Sequence, residues 1–145
     1  MGGGSISKGT EQDQVGFHWK LNVVRTKVFV SFDFDHDHDL KGSLVAQSKD
    51  PASPFRLIDF SLVESEPQPE WLSRAKSAIA RCDVFVVILG LNTHQAPGVR
   101  KEVQIAKDLR KRRFQLKPQG TNPTPVKDAG PVVNWTWNKL KTLLQ

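Results

Sequence analysis

Two stretches of the chain concentrate side chains capable of chemistry. In Asp33-Phe34-Asp35-His36-Asp37-His38-Asp39, four carboxylates and two imidazoles fall within seven residues. Alternating Asp with intervening His offers hard oxygen and imidazole ligands, the donor set of a divalent metal site. The same run suits a plain strand-to-helix loop in which Asp37 or Asp39 caps the next helix and complements its dipole. Its spacing matches neither a Ca²⁺ loop, which needs its Gly and distal Glu, nor a zinc pair with distant partners, so no metal is expected. The second stretch joins His94, in the polar loop 91–98, to Glu102 in the helix that follows. The plain account of Glu102 is an exposed glutamate in the first turns of a helix, where a carboxylate suits the dipole.

The element that positions both is the run Asp83-Val84-Phe85-Val86-Val87-Ile88-Leu89-Gly90. From Val84 to Gly90 it has no charged or polar side chain, is rich in β-branched residues, and is closed by glycine. This is the pattern of a parallel strand buried on both faces. In open parallel sheets ligands bind beyond the carboxyl ends of the strands, which is where His94 and Glu102 fall. Lys27-Val28-Phe29-Val30-Ser31-Phe32 reads as a first strand that delivers the Asp/His loop at its carboxyl end.

The remaining elements alternate in type. A helix is expected over 40–48, a strand over 55–61, and an acidic, proline-bearing loop from Val63 to Glu70. Leu72, Ala75, Ile79 and Cys82 recur at helical spacing over 71–82, which makes Cys82 a core residue rather than a nucleophile. A helix over 98–112 carries a buried stripe of Val99, Val103, Ala106 and Leu109, with Glu102 at its edge. A short strand at 114–116, a Pro- and Gly-rich connection over 118–131 and a closing helix over 132–144, with Trp135 off its apolar face, complete the chain. This order predicts an α/β, flavodoxin-like three-layer sandwich with a central parallel sheet of four to five strands. Residues 1–20 are expected to form a flexible tail and 21–145 one domain, with an edge strand or packing arm over 15–24.

Composition narrows the classes of function. No apolar run approaches a membrane span, the first residues lack a signal-peptide core, and the single Cys82 allows no internal disulfide, so a cytoplasmic protein is expected. The formal charge of +6 raises nucleic acid as a partner, but only 107–113 is densely basic, and such a run is ordinarily a solvated helix face. Neither G-x-G-x-x-G, nor a phosphate-loop lysine motif, nor H-E-x-x-H occurs.

Several of these segments carry a resemblance. The first strand, ending in Ser31-Phe32, resembles that of TIR domains. Val86 to Gly90, Thr93-His94 and Val99-Arg100-Lys101-Glu102-Val103 resemble the strand, loop and glutamate-bearing helix of that superfamily. Gln115 to Gly120 and Asn134-Trp135-Thr136-Trp137-Asn138-Lys139-Leu140 are similar to the bacterial TIR-like family that contains the Thoeris anti-phage TIR proteins. The resemblance implies cleavage of NAD⁺, as substrate rather than cofactor, at the nicotinamide–ribose bond. It also implies self-association through TIR–TIR contacts and, as product, either ADP-ribose or a cyclic ADP-ribose-type signal that a separate effector reads in anti-phage defence.

By the same resemblance Glu102 is the catalytic carboxylate, holding the ribose hydroxyls and facing the oxocarbenium-like centre. Ser31, Phe32 and Asp33 line the nucleotide pocket, with Phe32 as a stacking face. His94 reaches a phosphate or the departing base, and Arg100 either pairs with a phosphate or is an ordinary surface residue. The chain departs from the family in its acidic loop after the second strand and in having no tyrosine. The alternative reading is a non-catalytic TIR-like module that binds a nucleotide or a protein. A response-regulator-like receiver ranks last, since Gly90 stands where its phospho-acceptor aspartate would be.

Overall fold

The computed structural model describes residues 24–58 and 68–145. The expected tail, all of the proposed arm except Val24, strand residues 59–61 and loop residues 63–67 lie outside them. Five strands form one sheet: β1 (Thr26–Ser31), β2 (Phe55–Leu57), β3 (Val84–Ile88), β4 (Arg112–Lys117) and β5 (Val132–Asn134). Their order is β2-β1-β3-β4-β5 and every pairing is parallel. Helices α1 (His38–Ser48), α2 (Gln68–Arg81), α3 (Pro97–Asp108) and α4 (Trp137–Leu144) make the connections. The flavodoxin-like sandwich expected from the alternation is the observed fold.

Central strand β3 has all five of its residues buried, because alternate side chains enter two different cores. Phe85, Val87 and Leu89 pack with Phe29 against Ile79 and Cys82 at the end of α2 and Val99, Val103 and Ala106 of α3. Val84, Val86 and Ile88 pack with Val28, Phe114 and Leu116 against Leu44 of α1 and Leu140 and Leu144 of α4. The rings of Phe29 and Phe85, neighbours in register, stack with centroids 5.5 Å apart. Burial pushes the Cys82 thiol pKa up, so it sits in this core as an inert apolar group.

The carboxyl-terminal quarter departs from the sequence reading. The helix expected over 132–144 begins only at Trp137, because Val132–Asn134 pairs with β4 as a fifth strand. Two adjacent valines favour the extended state, and the open edge of β4 supplies the partner. Trp135 therefore follows a strand rather than lying on a helix, and its Nε1 donates to Gln47 Oε1 of α1 at 2.8 Å. Helix α3 stops at Asp108, and Leu109 is 37% exposed instead of joining the stripe, as Arg110 turns the chain at a φ of 56°. Helix α2 begins at Gln68, so Pro69 and Glu70 are helical and not part of a loop.

Connection 118–131 lacks regular structure yet is firmly held. Buried Gln115 on β4 accepts from Val126 N at 2.8 Å, and its Nε2 donates to the carbonyls of Val126 at 3.1 Å and Gly130 at 2.8 Å. Gly130, at a φ of +87°, lies so close to the Arg113 carbonyl that any Cβ would collide with it. Replacing Gln115 by Leu keeps the bulk but strips buried backbone groups of their partners. Urea denaturation of Gln115→Leu is expected to report a loss of about 2–4 kcal/mol.

Candidate active site

The strand order places the topological switch between β1 and β3, whose following connections run to opposite faces of the sheet. A crevice opens beyond their carboxyl ends, the usual ligand position in this architecture. Ser31 ends β1, and residues 32–37 lead into α1. Gly90 follows β3 and leads through a single 3₁₀ turn, Thr93–Gln95, into α3.

Glu102 lies within the inward stripe of α3, not at its edge. Val99, Glu102, Val103 and Ala106 are all buried, and Glu102 is only 2% exposed. Ser31, fully buried, donates from Oγ to Glu102 Oε1 at 2.6 Å. A carboxylate inside a core requires such a partner, since desolvating a charge without one costs several kcal/mol. The plain reading of an exposed helix glutamate is thus corrected: β1 reaches across to hold this side chain in place.

A pocket of about 240 Å³ is walled by Phe32, Asp33, Phe34 and His36 on the β1 side and Gln95 and Gly98 on the β3 side, and neither Ser31 nor Glu102 lines it. Gly98, which stands one helical turn before Glu102, and Phe32, which directly follows Ser31, connect the pocket wall to the buried pair through the chain. Asp33 is 6% exposed with both oxygens engaged: Oδ1 accepts from Asp35 N at 3.1 Å and Oδ2 lies 2.7 Å from His36 Nδ1. The Asp33 carboxylate raises the imidazole pKa of His36, favouring a protonated ring at the pocket rim. Phe32 is 7% exposed and packs into the second core, whereas half-buried Phe34 stands against His38 at 4.5 Å.

The Asp/His loop does not converge as a metal cage would. Asp33 holds His36, the His38 ring meets Phe34, and Asp35 and Asp39 face solvent. Among the described residues no three His, Cys, Asp or Glu side chains gather around one point. Nor does Asp37 use its side chain as a helix cap. It turns inward, where Thr93 Oγ1 stands 3.2 Å from Asp37 Oδ2 and accepts from Gly90 N at 2.7 Å. The Asp37 carboxylate fills the space a Cβ on Gly90 would occupy, so the glycine that closes β3 admits an acid from the neighbouring loop.

The other two expected site residues lie elsewhere. His94 and Arg100 line a separate cavity on the far side of Pro97, which borders both spaces. The structure therefore brings Ser31, Phe32, Asp33 and Glu102 to one crevice end and sets His94 and Arg100 apart. The sequence reading missed Phe34, His36 and Gln95 as pocket walls and the Asp37–Thr93–Gly90 cluster. Only Gly90, closing an apolar strand, offered a signal for that cluster.

Comparison with known proteins adds a fold relationship. No family model matches the chain, and no curated protein matches it. The structure of the CMP N-glycosidase BcmB from Clostridium botulinum is similar, with a TM-score of 0.52 at 18% identity over 82% of this chain and 94% of that one. At that identity the likeness shows the shared fold.

Two measurements test this geometry. Ser31→Ala removes the donor to a buried carboxylate and is expected to lower stability by about 1.5–3 kcal/mol in chemical denaturation. Burial raises the Asp37 pKa, partly opposed by the Thr93 hydrogen bond. A raised folded-state value means that the fold holds this proton more tightly than the unfolded chain does. Its stabilising contribution is then complete below the ordinary value of 3.8 and is lost as pH rises through the raised one. Asp37→Asn cannot ionise, so its stability relative to the parent is expected to rise with pH across that window, measured by denaturation at a series of pH values.

Proposed function

We propose that the protein cleaves the N-glycosidic bond of a nucleotide, with NAD⁺ as substrate and Glu102 as the catalytic carboxylate. The observation that carries this reading is the buried Ser31–Glu102 pair, 2.6 Å apart, connected through the chain to the wall of a pocket at the switch point of the sheet. An acid kept in a core stripe and oriented by a dedicated donor suits a role in which its charge acts on a neighbouring group. The similar structure is that of a CMP N-glycosidase, an enzyme of nucleotides, which supports the bond type by analogy of fold. The choice of NAD⁺ rests on the resemblance to TIR-like proteins, as do self-association and a role in anti-phage signalling.

In this reading the bond between ribose C1′ and the nicotinamide nitrogen breaks, and its electron pair leaves with the nitrogen. Nicotinamide departs neutral, so no general acid is needed. The positive charge left on C1′ and the ring oxygen is stabilised by the Glu102 carboxylate, which Ser31 holds in position. Water then attacks C1′ and loses a proton to give ADP-ribose, or an adenine nitrogen attacks to close a cyclic product. Half-buried Phe34 is better placed than Phe32 to offer a face to a base in the pocket.

A non-catalytic nucleotide- or protein-binding module is the second reading. The low exposure of Glu102 favours it, because a buried carboxylate can serve as a purely structural link between α3 and β1. Glu102→Gln separates the two, since the amide oxygen still accepts from Ser31, and circular dichroism checks that the variant is folded. Concentrated protein is incubated with NAD⁺ and, in parallel, CMP, and products are resolved by chromatography with mass detection. Base release that drops by about 100-fold or more in Glu102→Gln is expected. Release unchanged by the substitution, or absent from both proteins at high concentration with a crowding agent, would overturn the assignment.

A further inference from the structure

The cavity that His94 and Arg100 line, about 670 Å³, lies between α3 and residues 125–128 of the connection that precedes β5. That volume is ample for a nucleotide-sized ligand. Arg100, Lys101 and Gln104 follow Pro97 at helical spacing and form one wall; Lys127 and Asp128 stand on the other. Among the described lining residues the one acid, Asp128, is engaged, its Oδ2 lying 3.2 Å from Lys107 Nζ. Arg100 on one wall and Lys127 on the other bring a cation to each side of the groove.

Its second wall is rigid. Gln115 holds the backbone of Val126 from both sides, and the Asp128 carbonyl accepts from Arg113 Nε at 2.6 Å. Lys127 is therefore presented across from α3 by a strap anchored on either side of it, so little ordering cost remains for binding. His94 lines the same cavity, and its Nδ1 is buried with no hydrogen-bond partner.

We propose that this groove binds the phosphate or diphosphate of a nucleotide-sized small molecule, with Arg100 and Lys127 as the facing cations. Two sources fit this chemistry. One is a separate phosphorylated ligand; the other is the diphosphate half of a dinucleotide reaching past Pro97 from the smaller pocket. The site does not depend on the glycosidase reading, since it is defined by charge and shape outside the Ser31–Glu102 crevice.

The test is calorimetric titration of the full chain with ADP at low ionic strength. Saturable binding is expected, weakened at least about tenfold when both cations are reversed in Arg100→Glu/Lys127→Glu. Lys49→Glu/Arg112→Glu makes the same change in net charge at exposed positions outside the groove and is expected to retain the affinity. Circular dichroism establishes that each variant is folded. No ADP binding by the parent, no weakening in the groove variant, or equal weakening in both variants would overturn the proposal. Repeating the titration on Glu102→Gln with excess NAD⁺ separates the sources. ADP displaced by NAD⁺ assigns the groove to the dinucleotide, and ADP binding that persists assigns it to a separate ligand. ADP binding without any NAD⁺ turnover leaves the groove standing while the glycosidase reading falls.

Discussion

The structure depends on one constraint: β3 must be buried on both faces. Its alternate side chains feed two cores, so each face of the sheet needs its own pair of helices. Parallel neighbours can be joined only by crossovers, and those crossovers deliver every β-to-α connection to the same edge of the sheet. With β1 and β3 adjacent and their connections diverging, the crevice between them follows from chain topology before any side chain is specified. The chemistry-bearing residues then occupy an edge that the fold has already opened.

Within that frame the polar groups near the crevice are paired, all of them buried except the exposed His36. Ser31 answers Glu102, Thr93 answers both Gly90 and Asp37, and Asp33 answers His36. Each link joins the β1 side to the β3 side or ties down its own loop. A low-dielectric surrounding makes such links strong when satisfied and costly when broken. The same physics explains why the Asp/His run spreads out rather than closing on a cation. Its carboxylates are committed to an imidazole, to a hydroxyl in the core, or to solvent.

A second ordered region forms without secondary structure. Connection 118–131 is fixed by one amide side chain, Gln115, and by the close approach of Gly130 to β4. These contacts seat Val126 and Ala129 in the core of α2 and α3 and turn Lys127 and Asp128 toward the cavity beside α3. A groove with a cation on each side thus arises from a segment that composition alone marks as a loop.

Local sequence determined the architecture because its signals are local. The apolar run 84–90 specifies a doubly buried strand, the spacing of Leu72, Ala75, Ile79 and Cys82 specifies a helix, and their alternation specifies a parallel α/β sandwich. It also placed Ser31 and Asp33 at the carboxyl end of a strand and Glu102 in the helix after the central strand, since strand ends can be read from pattern. Tertiary structure alone decided which side chains meet. Glu102 is buried because Ser31, seventy-one positions away, reaches it; Asp37 turns inward because Gly90 leaves room; Val132–Asn134 becomes a strand because β4 has an open edge. Periodicity reports the face on which a residue lies, whereas hydrogen-bond partners and cavities depend on contacts between segments distant in the chain, which no local pattern encodes.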